Sequence, residues 1–315
     1  MSQSVKQGAS EGMKEAREED VSEKNHNICC IGHITKDKII TPQGTVYMSG
    51  GTSFYFSYAI NRLPRRVPFS LVTAMNPEET EPAEEMRRNG IEVTLFPSRH
   101  TVFFENIYGN DPNDRSQRVL AKADPFQIDQ LRNIHATVYH LGSLLHDDFS
   151  LQLVEYLAQK GRVSIDAQGY LREVRGENVY PVDWKEKNEV LRHTYYLKVN
   201  ETEMETITGK KDPEEAAHEL HNWGVKEVCI TLGSLGSIIY ADGHLYQIPA
   251  YSPHRFVDAT GCGDTYSAGY LYCRMLGRSP EEAGKYAAAM CTLKLEHNGP
   301  FNGTERDIRN ILKNE

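Results

Sequence analysis

Short apolar runs recur along the chain, and between them lie segments whose apolar residues return every three or four positions. The runs are Asn27 to Ile31, Val67 to Ala74, Thr137 to Leu141, Arg162 to Ile165, Tyr195 to Val199 and Glu227 to Leu232. Each has the length and composition of a buried strand. Ser53 to Leu63, Glu78 to Asn89, Leu151 to Lys160 and Pro213 to Trp223 have helical spacing, with Gly90, Gly161 and Gly224 just after three of them as C-terminal caps. Strand, helix, strand in repetition predicts an α/β fold with a mostly parallel central sheet and helices on both faces.

Two stretches break this rhythm. Lys36 to Ser49 and Thr101 to Ala121 alternate polar and apolar residues, with turn signals at Pro42-Gln43-Gly44 and Gly109-Asn110-Asp111-Pro112-Asn113. Each predicts an antiparallel hairpin, and lid segments near 35–49 and 101–121 would together form a small β-sheet beside the carboxyl ends of the parallel strands, where such folds bind ligands. Ahead of all this, residues 1–26 crowd charges between Glu11 and Lys24 without an apolar run or an aromatic residue. That composition predicts a solvated, disordered tail followed by one α/β domain over 27–315.

Charge and cysteine usage narrow the function. Thirty-five basic residues against 44 acidic ones give a net charge of −9, which argues against a general nucleic-acid binder and suits small-molecule chemistry. The N-terminal segment has no apolar signal-like stretch, and no later one approaches the roughly 20 apolar residues that span a bilayer, so a cytoplasmic chain without a membrane partner is expected. Cys29, Cys30, Cys229, Cys262, Cys273 and Cys291 lack C-x-x-C spacing and read as buried thiols in a reducing compartment. His218 and His221 share a helix face with no third ligand in sight, which predicts a solvated surface pair and no structural zinc.

The most informative segment is Val257-Asp258-Ala259-Thr260-Gly261-Cys262-Gly263-Asp264-Thr265, followed by a helical stretch to about Leu276. Gly261 and Gly263 let backbone approach a ligand, and a helix start offers free N–H groups backed by the macrodipole, a site suited to phosphate. Asp264 would then be a carboxylate beside bound phosphate. A proton passing from a substrate hydroxyl to Asp264 explains that placement; simple capping of the helix is the alternative. Upstream, Gly50-Gly51 opens the aromatic helix Phe54 to Tyr58, where backbone can meet a substrate or merely turn tightly. The first strand is followed by Gly32 alone and by no G-x-G-x-x-G, which counts against a dinucleotide enzyme.

Asn200 and Glu203, three apart at a strand-to-helix junction, read first as a helix cap and can also hold waters around a magnesium ion. Thr231, Gly233 and Gly236 couple a buried strand to a glycine turn that either lines a nucleotide or joins two adjacent strands.

In order, Gly32 to Asp37, Gly50-Gly51, Asn200 to Glu203, Thr231 to Gly236 and Gly261 to Asp264 resemble the ribokinase-like (PfkB) carbohydrate kinase family. The resemblance runs from about Asn27 to the end. It implies a ribokinase-like fold with a β-sheet lid and an ATP- and Mg2+-dependent kinase acting on a sugar or polyol, with a homodimer through the lid among the expected partners. Residue by residue it implies Asp264 as general base, the N–H groups of Gly261, Cys262 and Gly263 as anion hole, Asp37, Gly50 and Gly51 on substrate hydroxyls, Asn200 and Glu203 on magnesium through water, and Thr231, Gly233 and Gly236 on the nucleotide. Asp258 and Thr260 resemble the start of a loop that holds a monovalent cation such as K+. Thr52 and Tyr55 depart from the sugar-kinase pattern, Tyr55 standing where many relatives place an Asn. Asp114-Arg115 with Asp124-Pro125, and Glu296-His297-Asn298-Gly299, are similar to a branch that phosphorylates myo-inositol, whose ring an aromatic wall at Tyr55 would suit. A nucleoside kinase and a non-catalytic nucleotide-binding relative are the alternative expectations.

Overall fold

The computed structural model describes residues 26–109 and 115–313; the expected tail up to residue 25, the turn at Asn110 to Asn113, and Asp114 lie outside them. In chain order the elements are β1 (His26–Ile31), β2 (Thr35–Thr41), β3 (Gly44–Gly50), α1 (Thr52–Asn61), β4 (Phe69–Met75), α2 (Glu81–Arg88), β5 (Glu92–Pro97), β6 (Val102–Tyr108), β7 (Arg115–Ala121) and β8 (Ala136–Gly142). There follow α3 (Leu151–Lys160), β9 (Arg162–Asp166), β10 (Arg172–Arg175), β11 (Asn178–Pro181), α4 (Lys187–Arg192), β12 (Thr194–Asn200), α5 (Glu201–Thr208) and α6 (Pro213–Asn222). The chain then runs through β13 (Glu227–Thr231), β14 (Ser237–Ala241), β15 (His244–Ile248), α7 (Cys262–Met275), α8 (Pro280–Leu295) and α9 (Glu305–Lys313).

Nine strands form the main sheet in the order β5-β4-β1-β8-β9-β12-β13-β14-β15. Pairing is parallel from β5 to β13, and β14 and β15 fold back antiparallel at one edge. The central strands are largely apolar because both faces are covered. Along β1 the alternation is explicit: Ile28 and Cys30 enter the core beneath α1, α7 and α8, while Cys29 and Ile31 enter the core beneath α3 to α6. Gly269 explains how α7 and α8 pack so closely, since a Cβ there would stand 2.6 Å from Met290 Sδ and 3.1 Å from the Ala287 Cα.

The second sheet has six strands in the order β3-β2-β6-β7-β11-β10. Both expected hairpins are present as β2–β3 and β6–β7, joined by a parallel β2–β6 pairing. A third hairpin, β10–β11, extends this sheet and was not expected. Val102, Phe104, Val119, Leu144 and Leu145 form a small apolar cluster of their own, with Val174 of the third hairpin packed against it. One smaller expectation changes. Gly161 does end α3, but with an extended φ of −172°; the position needs glycine because a Cβ would meet Ala136 O at 2.6 Å. His218 and His221 flank the Tyr240 ring, at 4.6 and 4.7 Å between ring centroids. All six cysteines are free thiols.

Candidate active site

The site grows from strand ends and two helix starts. At the end of β3 the carboxylate of Asp37 lies over Gly50, so close that a Cβ there would be 2.4 Å from Asp37 Oδ2. Thr35 Oγ1 donates to Asp37 Oδ1 at 2.6 Å. Strand register puts Asn106 and Gln117, bonded to each other at 2.9 Å, on the same face of the lid sheet as Asp37. Gly51 caps α1, and Ser53 Oγ donates to His33 O at 2.7 Å, fixing the helix start to the end of β1.

The second helix start is α7. Gly261 is its N-cap with φ 78°, a left-handed conformation that glycine adopts without penalty. Space also demands glycine there: a Cβ would lie 2.4 Å from the Tyr55 ring. Tyr55 is therefore buried between the two helix starts, and burial followed by Asp37, Asp258 and Asp264 raises its phenol pKa. The Cys262 thiol is pushed up to about 11, chiefly by burial, so it is no nucleophile at neutral pH. Its N–H donates to Ala259 O at 3.1 Å and closes the turn, which differs from the anion-hole role expected of it.

Asp264, in the first turn of α7, is hydrogen-bonded by the Thr52 side chain from the first turn of α1. Its pKa is pushed up to about 8: burial is the main cause, Asp166 and Glu203 add to it, and Lys198 and Thr52 oppose it. A carboxyl in that range can take and give a proton near neutral pH.

Across the sheet, β9, β12 and β13 deliver side chains at paired positions. Lys198 pairs in register with Asp166, and its Nζ lies 3.0 Å from Asp166 Oδ2. The ammonium also sits 2.8 Å from where a Cβ on Gly263 would stand. Burial works against its charge, yet Asp166, Glu203 and Asp264 together raise its pKa. Asn200 pairs with Thr231 on the next strand. Asn200 and Glu203 form a capping box for α5, with Asn200 Oδ1 accepting from the Glu203 N–H and Glu203 Oε2 from the Asn200 N–H, both at 2.9 Å.

Each Glu203 oxygen keeps a lone pair beyond these bonds. Among the described residues no three ligating side chains converge as a metal cage. An oxygen pair of this kind fits magnesium held through water, since that ion keeps much of its hydration and leans on substrate phosphates. The expected potassium site fits less well: Asp258 Oδ1 accepts from the Thr260 N–H at 2.9 Å, and Oδ2 accepts from the buried Lys294 ammonium at 3.3 Å.

A cavity of about 610 Å³ opens beside this turn, lined by Asn200, Thr231, Gly233, Gly236, Cys262 and Gly263 among others. Tyr251, Pro253, Phe256 and Leu295 supply apolar walls, and no Lys, Arg or His lines it among the described residues. Asp264 directly follows Gly263 of this lining, and Tyr55 feels the charges of both Asp264 and Asp37. The other flagged residues are used elsewhere: Asp124 accepts from the Arg99 N–H and Nε at 2.9 and 2.7 Å, and Glu296 Oε1 from the His254 N–H at 2.7 Å. Sequence reasoning missed Asp166, Lys198 and Lys294, and named Thr52 only as a departure from the sugar-kinase pattern. The signal was a charge inside an apolar strand run for Lys198 and directly after one for Asp166.

Fold and site together define a phosphotransferase with a hydroxyl acceptor, built as a mostly parallel sheet with a small β-sheet lid. The chain belongs to the pfkB family of carbohydrate kinases, whose profile matches residues 106–306. A cytidine kinase from Thermococcus kodakarensis is 29% identical over 265 residues, 81% of this chain and 91% of its own. A ribokinase from Arabidopsis thaliana is 33% identical over 132 residues, 40% of this chain and 35% of its own. Among solved structures, a pyrophosphate-dependent kinase in the ribokinase family, complexed with a pyrophosphate analog and myo-inositol, has a TM-score of 0.80 at 29% identity, covering 90% of this chain and 100% of its own. Arabidopsis thaliana ribokinase complexed with ribose and ATP shares the fold, with a TM-score of 0.73 at 19% identity over 92% of this chain and 99% of its own. Among the described residues no helix is long and apolar enough to cross a membrane.

Proposed function

We propose that the chain is an ATP-dependent kinase that transfers the γ-phosphoryl group to a hydroxyl of a sugar or polyol, a ribose-like sugar or myo-inositol, with Asp264 as general base. The observation that carries this reading is Asp264 itself, a carboxyl pushed up to about 8 at a helix start, next to Gly263 of the apolar groove and acting, like the lid carboxylate Asp37, on the Tyr55 phenol. The acceptor oxygen attacks the γ-phosphorus, its proton passes to Asp264, and the bond to the β-phosphate oxygen breaks to release ADP. The amides of Gly261 and Gly263 and the Lys198 ammonium face the transferring group, supplying fixed positive charge where negative charge grows. Asn200 and Glu203 would hold magnesium through water, and the bound ion adds positive charge at the donor phosphates. Asp37, Gly50, Gly51 and the Tyr55 wall hold the acceptor.

The donor is inferred from the groove. Apolar walls suit a nucleobase, which favours a nucleotide donor. A nucleoside kinase is the second reading, supported by the cytidine kinase relative that spans 81% of this chain. Coupled assays with ATP or pyrophosphate as donor against myo-inositol, ribose, fructose and cytidine separate these readings. Turnover with ATP and a sugar or polyol is expected. Turnover with pyrophosphate alone would overturn the donor assignment, turnover with cytidine alone the acceptor assignment, and failure to bind ATP in calorimetry the kinase reading itself.

A further inference from the structure

Lys294 lies in the last turn of α8 and is fully buried. Its Nζ donates to Asp258 O at 3.1 Å, to Asp258 Oδ2 at 3.3 Å and to His297 O at 3.1 Å. Three acceptors require three N–H donors, and only the ammonium form has them; a neutral amine has two. An isolated buried ammonium would be strongly unfavourable. Here a carboxylate, two carbonyl oxygens and the negative end of α8 offset that cost.

Two of these oxygens, both of Asp258, belong to the loop that leads into the α7 turn. Asp258 Oδ1 takes the Thr260 N–H at 2.9 Å, directly before Gly261. The Val257 and Asp258 N–H groups donate to Leu295 O at 2.7 and 3.2 Å. Cys291 Sγ donates to Cys262 O at 3.2 Å. The end of α8 thus fixes the loop on both sides of Asp258, and one +1 charge sits where its oxygens converge. A cage of carbonyl and carboxylate oxygens around a single positive charge is the coordination of an alkali cation, built here with a tethered nitrogen.

We propose that the Lys294 ammonium is a built-in monovalent cation, which neutralises Asp258 and sets the Gly261 to Asp264 turn without exchangeable K+. A tethered charge has a local concentration that the medium cannot change, so the turn keeps its shape in potassium-free solution. Lys294 is a positioning residue: it acts through Asp258 and Thr260 on the turn. Its effect on turnover rests on the kinase reading above; its effect on stability does not.

The test compares KCl with tetramethylammonium chloride at equal ionic strength, reading both ADP release and thermal unfolding. The wild-type chain should be indifferent to the exchange in both readouts. Lys294→Ala, which leaves space at the cage, should lose about tenfold or more in kcat/KM in tetramethylammonium, about 1.4 kcal/mol, and recover in K+ with a rise in Tm. Lys294→Met fills the space with an apolar chain and should not recover. Several-fold stimulation of the wild type by K+ would overturn the proposal, as would a Lys294→Ala chain that is unfolded in both salts or folded and blind to both. Recovery of folded Lys294→Ala only from potassium buffers would support it. If no acceptor gives turnover, the kinase reading fails and the unfolding readout still decides this proposal.

Discussion

Replacing Asp264 by Asn should make the protein more stable and nearly inactive, because a carboxyl kept ready to accept a proton is a carboxyl kept under strain. Folding raises its pKa from 3.8 to about 8, through burial and then the proximity of Asp166. At pH 7 the unfolded chain holds this group ionised while the folded chain prefers it protonated. The cost to folding is at most about 4 kcal/mol, roughly 3 pH units at about 1.4 kcal/mol each. Asp264 keeps part of its surface open to solvent, and screening leaves about 1–2 kcal/mol of that ceiling. The sign follows from proton uptake: the cost is absent below about pH 4, grows as pH rises to about 8, and is constant above.

Asn removes the ionisation and still accepts from Thr52 through its amide oxygen. Thermal unfolding of ligand-free wild type and Asp264→Asn from pH 5 to 9 should show a variant with a Tm about 2–4 °C higher at pH 8, the gap closing towards pH 5. ADP release should fall about 10²- to 10⁴-fold, the usual contribution of a general base. A variant that is less stable at pH 8, or a gap that does not change with pH, would show that Asp264 carries no electrostatic strain and remove the ground for assigning it as base. Stability gained with activity lost is the expected trade at a functional site.

Two further substitutions test the surroundings. Lys198→Met removes the cation that holds Asp264 down, so the acid limb of the kcat/KM profile for the acceptor should move to higher pH by about one unit, with a lower plateau from the lost phosphate charge; an unmoved limb would disconnect the two groups. Glu227→Gln breaks a buried cluster at the far end of β13, where Arg274 Nη2 and Nε donate to Glu227 at 2.7 and 2.9 Å and Tyr270 OH at 2.5 Å. It should cost about 3 kcal/mol in urea unfolding and leave KM values alone; a change in KM with stability intact would contradict a purely structural role.

The central strands could be read from the chain because they are buried on both faces, so their composition is dictated by local burial alone. The glycine turns were legible for a similar reason: Gly50 and Gly261 answer to backbone geometry and contacts that few residues tolerate. Lys198 was different. It is one charge in the run Tyr195 to Val199, and its meaning depends on Asp166, 32 positions away on a neighbouring strand whose register no local pattern reveals. Lys294 was hidden more deeply, since a lysine in the last turn of a helix reads as an ordinary exposed partner of the dipole, and only the return of the Asp258 loop buries it. The β10–β11 hairpin escaped because its two four-residue strands carry mixed, half-exposed side chains and pack only their valines against the lid cluster.

The charges around the α7 turn follow one logic. Asp166 has the Lys198 ammonium at 3.0 Å, and Asp258 has the Lys294 ammonium at 3.3 Å. Glu203 is held by the N–H and side-chain amide of Asn200. Each of these acids is therefore held in place by a short contact. Asp264 is given a hydroxyl from Thr52 and only the more distant influence of Lys198, while burial and its acidic neighbours act against its charge. The two lysines thus do more than neutralise: by satisfying Asp166 and Asp258 they let a buried acidic cluster fold, and by leaving Asp264 without a short ammonium contact they keep its proton affinity near neutral. Moving either ammonium towards Asp264 would lower its pKa into the ordinary carboxylate range and weaken it as a base, so the geometry that stabilises the turn also sets the pH at which it can work.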